Sequence, residues 1–236
     1  MTDDFINLRL TESNLDTYFI RVSILKALEN NLINFEGRLL DIGCGKMPYK
    51  QFILNNSEVK EYIGLDIETA LVYDETVNPD FRWDGIKMPF IDNSFSCAMG
   101  TELLEHCFEP EITLKEIHRV LKPGGVFFFT VPFLWNLHEV PYDAYRFTPF
   151  SLEHHLTKSG FNSIEIYSYG EWHSSLALMI GLWLRRSKLH YFYRKIFSFF
   201  LKPIIKTLIK KESHKFGNKD FSEGIMMPGL FGICKK

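Results

Sequence analysis

Side chains able to hold a substrate or move a proton crowd one short stretch, PFLWNLHEVPYDAYRFT at 132–148. It holds His138, Glu139, Tyr142, Asp143, Tyr145 and Arg146. An imidazole exchanges a proton near neutral pH, so His138 is the candidate general base or hydrogen-bond partner of a substrate. Asp143 is the second titratable candidate for catalysis, and Tyr142, Tyr145 and Arg146 are candidates to hold the substrate. Asp143 and Arg146 are also spaced to pair with each other and simply fix the loop. A second set, Glu102, Glu105 and His106, lies in TELLEH (101–106) and reads as the floor of a site. Neither the eight histidines nor the four cysteines fall at metal-ligand spacing, so the sequence predicts no metal.

Something must be presented to those residues, and LLDIGCGKMPY (39–49) indicates what. Two apolar residues, an acid and Gly-Cys-Gly describe a buried strand that turns tightly around a ligand. Gly43 and Gly45 allow the backbone to approach closely. A dinucleotide fingerprint needs G-x-G-x-x-G, and its third glycine is Pro48 here; no phosphate-binding G-x-x-x-x-G-K-[ST] occurs. Asp66 ends the next strand-like run, EYIGLDI, where a carboxylate can accept from a ribose diol. The spacing therefore points to a ligand with a ribose and no pyrophosphate.

The elements that position these residues alternate. Apolar residues at helical spacing predict a helix over 15–33, ending near Gly37. RLLDIG, EYIGLDI, SFSCAMGT, VFFFTVP, NSIEIYSYG and GLFGICKK read as strands. PEITLKEIHRVLKPGG reads as a helix with Pro in its first turn and Pro-Gly-Gly at its close, and SLEHHLTKSGF as a helix starting at a Ser cap. Uniformly apolar strands between helices predict an α/β domain with a mostly parallel sheet covered on both faces. Ligands of such sheets bind beyond the carboxyl ends of the strands, where the glycine turn falls.

Four blocks, LLDIGCGKMPY, YIGLDI, WDGIKMPFIDNSFSCAMGTELLEH and EIHRVLKPGGVFFFTVP, together resemble a class I S-adenosylmethionine-dependent methyltransferase of the methyltransferase domain 11 group. The resemblance covers about residues 36–170, with GLFGICKK similar to the last strand. It implies a Rossmann-like seven-stranded sheet, helices on both faces and a final antiparallel strand. It also implies S-adenosylmethionine as cofactor: Asp41, Gly43 and Gly45 along the methionine half, Asp66 on the ribose hydroxyls, and Ile67 on the adenine. Asp84 would accept from the adenine amino group, Gly85 and Ile86 would give backbone contacts, and Thr101 would lie near the sulfonium. The usual third glycine of the first motif is Met47 here. A related His-x-x-Pro-x-Asp-x-x-Arg-x-Thr pattern occurs in bacterial methyltransferases of surface-sugar and lipid-linked pathways. The expected reaction is O-methylation of a small molecule, sugar or lipid-linked saccharide. The alternatives are a nicotinamide-dependent oxidoreductase or epimerase, and a non-catalytic cofactor-binding partner module.

Charge divides the chain. Residues 171–219 hold 11 of the 27 Lys and Arg against two acids, Glu171 and Glu212, a local +9, whereas the remainder carries −11. This basic segment, 171–222, is rich in aromatics and reads as a helical insertion within one domain spanning 1–236. FYRKIFSFFLKPIIKTLIKK predicts a helical pair broken at Pro203, suited to anionic lipid head groups, or to covering the domain or a homodimer partner. The acidic body argues against nucleic acid. No apolar run reaches a membrane span, MTDDFINLRL lacks a signal-peptide core, and the scattered cysteines suit a reducing compartment. The expected location is the cytoplasm or the inner face of its membrane.

Overall fold

The computed structural model describes residues 3–68 and 78–236. Its elements run α1 (Asp3–Ile6), α2 (Tyr18–Asn31), β1 (Glu36–Ile42), α3 (Lys50–Asn56), β2 (Glu58–Ile67), β3 (Phe81–Trp83) and β4 (Phe95–Thr101). There follow α4 (Pro110–Val120), β5 (Leu121–Pro132), α5 (Pro149–Lys158), β6 (Asn162–Ser168), α6 (Trp172–Arg186), α7 (Tyr191–Lys211) and β7 (Gly229–Lys235).

The seven strands form one sheet in the order β3-β2-β1-β4-β5-β7-β6. β3 through β5 pair in parallel, and β7 runs antiparallel to both neighbours. Successive residues on a strand face opposite sides, so an all-apolar strand needs a cover on each. Leu40, Phe127 and Phe129 join one core, packed with Leu114 and Ile117 of α4 and Leu152 and Leu156 of α5. Leu39 and Phe128 join the other, with Ile24 and Leu28 of α2 and Leu178 and Leu182 of α6.

Several boundaries differ from the sequence expectation. α2 spans Tyr18–Asn31 and a 3₁₀ turn over Leu32–Asn34 replaces its last residues. Lys122 through Gly125 belong to β5 rather than to the end of α4, because the strand takes over directly at Leu121. α5 is capped by Thr148, whose hydroxyl accepts from the Ser151 N–H while Ser151 answers onto Thr148, a reciprocal box that Ser151 alone could not make. Pro203 does not break α7, which continues from Tyr191 to Lys211. The carbonyl released by its ring belongs to Phe199, 66% exposed, where solvent can serve it.

The basic segment is tied down at two places. A Cβ on Gly181 of α6 would lie 2.1 Å from the Leu15 carbonyl oxygen, so only glycine allows α6 to cross the chain there. Beside that crossing, Arg186 Nε donates to Asp16 at 2.6 Å. Glu212, after α7, is buried and accepts from the backbone N–H groups of Glu171, His173 and Ser174 at 2.8, 3.0 and 2.8 Å. Burial opposes its charge, yet these donors hold its carboxyl below the usual range. Glu212 thus serves the start of α6, while the Glu171 carboxylate accepts from Asn218 and pairs with Lys215.

Candidate active site

β1 ends in a turn that glycine makes feasible. Gly43 has φ +67°, and a side chain there would meet Leu103 at 2.8 Å. Gly45 has φ +47° and donates its N–H to Asp66 Oδ2 at 3.1 Å, while Asp66 Oδ1 accepts from the Ile67 N–H. The glycine turn and the acid of the second strand are therefore one unit. Met47 holds φ +49°, a left-handed conformation that costs an L-residue and suits the glycine usual at this place. A Cβ on Gly64 of β2 would lie 2.7 Å from Met47 Sδ, so the bare glycine admits that side chain over the strand.

Asp41 is buried and accepts from the Tyr62 hydroxyl, which places it under the turn's framework rather than at an open surface. Burial pushes its carboxyl up to about 7. Asp66 is only partly buried and its carboxyl is likewise raised, chiefly by desolvation. Ile67, 39% exposed, and Ile86, 65% exposed, leave apolar surface open beside it. A Cβ on Gly85, φ +84°, would approach Ile67 Cδ1 to 3.3 Å. Asp84 accepts from the Ile86 and Lys87 N–H groups through Oδ1 and is exposed. A carboxylate at a strand end, a glycine-lined turn and two open isoleucines are chemically suited to an adenosine, which offers a diol and an apolar base. Thr101 ends β4 opposite Thr130 of β5.

The opposite wall is built from two loops. Glu102, φ +52°, follows β4 and is fastened to Thr130, whose hydroxyl donates to Glu102 Oε1 at 2.8 Å. Desolvation raises the Glu102 carboxyl to about 7. The loop after β5 folds over this one: the Ala144 and Tyr145 N–H groups donate to the Glu105 carbonyl at 2.9 and 3.1 Å, and the Tyr145 hydroxyl donates to the Phe108 carbonyl at 2.9 Å. His106 Nδ1 lies 3.2 Å from the Tyr142 carbonyl oxygen.

Asp143 and Arg146 pair through both forks, at 2.5 and 2.8 Å. That bidentate contact, first among the causes, holds the Asp143 carboxyl down at about 2. Asp143 also accepts the His138 backbone N–H at 3.2 Å, and its Oδ2 stands 3.1 Å from His138 Nδ1 without the alignment of a hydrogen bond. Both Asp143 oxygens are engaged, so its geometry is that of a group that orients His138. The His138 and His106 rings meet edge to face, centroids 4.8 Å apart. Tyr142 is exposed. Burial lowers the His106 imidazole from its usual value, which favours the neutral ring. Glu105 is wholly buried and desolvation pushes its carboxyl well up. Its convergence with both imidazoles was not legible; the adjacent acid and base in TELLEH were the only signal.

Residues 40–129 match the methyltransferase domain family. The chain is similar to the cycloartenol-C-24-methyltransferase of Arabidopsis thaliana, 34% identical over 100 residues, which covers 38% of this chain and 30% of that protein. It is 30% identical over 140 residues to the demethylmenaquinone methyltransferase of Chlorobaculum parvum, covering 56% of each. The chain spans less than two thirds of the length of these curated relatives. A SAM-dependent methyltransferase from Archaeoglobus fulgidus shares the fold with TM-score 0.56 at 17% identity, covering 95% of this chain and 97% of that one. Residues 40–129 thus carry the match to a methyltransferase domain, and the chain as a whole has the fold seen in S-adenosylmethionine-dependent methyltransferases. S-adenosylmethionine is the cofactor that goes with that domain and fold.

Proposed function

We propose that this chain transfers a methyl group to an oxygen of a small molecule, a sugar or a lipid-linked saccharide. The observation that carries this reading is the meeting of His138 and His106, rings 4.8 Å apart, beside the carboxyl ends of β4 and β5. When bound, S-adenosylmethionine supplies an electrophilic methyl group. The protein's share is to hold its adenosine by Asp66, Ile67 and the 84–86 loop, and to bring an acceptor hydroxyl into line. His138, steadied by Asp143 and through it by Arg146, takes or orients the acceptor's proton. Tyr142, Tyr145 and Arg146 border the acceptor.

The α6–α7 insertion supports a location at the inner face of the cytoplasmic membrane. Tyr191, Phe192, Tyr193, Phe199 and Phe200 of α7 are all more than half exposed, and only Ser198 and Ile205 of that helix are buried. No helix among the described residues is long and apolar enough to cross a membrane. Such a face suits a bilayer surface with lysines beside it, and a lipid-linked acceptor would be met there. The same face would suit a second copy of the chain, so light scattering belongs beside the vesicle assay.

The test is incubation of the purified chain with methyl-labelled S-adenosylmethionine and fractions of polar lipid, oligosaccharide and small metabolites, with the methylated atom located by mass spectrometry. Label on a hydroxyl oxygen is expected; label confined to nitrogen or carbon would overturn the acceptor class.

A further inference from the structure

Glu105 poses a problem that methyl transfer leaves unsolved. Its side chain is completely buried, and neither carboxylate oxygen has a hydrogen-bond partner. Buried polar atoms without partners are few in folded proteins, and a buried unpaired carboxylate costs several kcal/mol. The nearby guanidinium of Arg146 is spent on Asp143. What faces Glu105 is imidazole. Ligand atoms of Glu105, His106 and His138 all lie within 4.8 Å of one another.

The tautomer of His106 sharpens the picture. A carbonyl oxygen can only accept, so the 3.2 Å contact with Tyr142 puts the proton on Nδ1 and leaves the Nε2 lone pair bare. That lone pair looks into the cluster, 3.8 Å from Glu105 Oε1 and 3.9 Å from Glu139 Oε2. A ring nitrogen fixed by a backbone carbonyl while the other faces carboxylates is the arrangement of metal-ligating histidines. The loops are pinned to hold it: the Glu105 carbonyl takes two N–H groups from the 138–146 loop. Two residues at the cluster, Glu102 and Glu139, sit at φ +52° and +48°, and such strain gathers where function requires it.

We propose that Glu105, His106 and His138, with Glu139 at the open side, form a site for a divalent transition-metal ion. Two imidazoles and a carboxylate suit zinc, manganese(II), iron(II) or cobalt(II) better than magnesium or calcium, which prefer all-oxygen shells. The sequence expectation of no metal fails here for a geometric reason: the ligands come from two loops that only packing brings together. The role of the ion rests on the hydroxyl-acceptor reading above. Beside the acceptor oxygen, such an ion would ease loss of the O–H proton to solvent, and His138 would then orient the acceptor through the ion instead of taking the proton itself.

The experiment uses the full chain, stripped with a chelator, dialysed, and titrated with cobalt(II) alone while its visible ligand-field bands are followed. Zinc(II) and manganese(II) are added in competition, with elemental analysis of the dialysed complex. One ion per chain is expected. Glu105→Gln and His106→Gln should each weaken binding at least about tenfold, as does loss of an outer partner in known sites. Glu153→Gln, on the exposed face of α5, should not. Retained S-adenosylmethionine affinity in calorimetry identifies the variants that are folded. Failure of all three ions to bind stoichiometrically, or binding unchanged in both folded Glu105→Gln and His106→Gln, would overturn the site. An ion bound as expected with no methylation of any hydroxyl would support the site while sinking the acceptor reading.

Discussion

The two walls of the cleft are made in different ways. On the cofactor side the work falls to backbone geometry and one acid: Gly43, Gly45 and Gly85 at positive φ, and Asp66 receiving the Gly45 N–H. On the acceptor side it falls to side chains clasped between loops, with His106 reaching Tyr142 across 36 residues and Arg146 forked onto Asp143. A wall of backbone serves a ligand shared by a whole family. A wall of side chains can be rewritten by substitution without disturbing the sheet, which is why the proposed acceptor side is the one expected to vary.

Separate failure of the two walls is the sharpest consequence. His138→Ala should lower turnover by about 10²–10⁴-fold if the imidazole moves the proton, while S-adenosylmethionine affinity by calorimetry stays within a few-fold. A parallel loss of cofactor binding would merge the two walls into one. Next in size, Asp66→Ala should weaken cofactor binding by roughly 10–150-fold, the worth of a hydrogen bond to a charged group. Unchanged affinity in a folded variant would remove Asp66 from the ribose.

Acid should release the Asp143–Arg146 clasp of the acceptor wall, whereas Glu102 and Glu105 beside it are raised by burial. The Asp143 carboxyl is held at about 2, below its ordinary 3.8. A depressed carboxylate stabilises the fold above its unfolded value and loses that contribution as pH falls from about 4 to about 2. Asp41 and Asp66 are raised, so their linkage runs the other way, favouring the folded state as they take up protons. Asp143→Asn should thus flatten the acid limb of stability between about pH 4 and 2, as measured by denaturant unfolding at stepped pH. An acid limb identical to the parent's would break the assignment.

The smallest effect concerns the cover. Sedimentation with vesicles should rise with anionic lipid and fall with salt, each basic residue at the surface adding roughly 1 kcal/mol. Replacing Lys202 and Lys206 together by Gln should lower vesicle affinity by up to about thirtyfold. No sedimentation with any lipid, alongside a concentration-dependent dimer, would assign the aromatic face of α7 to a second copy.

Much of the cofactor wall could be read from the chain because its parts are local. A strand followed by a two-glycine turn dictates the conformations of Gly43 and Gly45 wherever the strand lies, and Asp66 needs only to end the neighbouring strand. Uniformly apolar runs such as VFFFTVP likewise announced a sheet buried on both faces. Other features waited on tertiary structure, since their energies depend on neighbours distant in the chain. Pro203 was expected to end a helix because it removes a hydrogen bond, and whether that loss matters depends on the exposure of Phe199. The spacing of Asp143 and Arg146 allowed an ion pair, and only the packed loop shows that it forms, through both forks. The burial of Glu105 between His106 and His138 left no trace in spacing. Periodicity and turn chemistry act through bonded neighbours, so the sequence by itself determined the sheet and the cofactor turn. Desolvation and charge pairing act through space, so only the tertiary structure decided what the second wall can do.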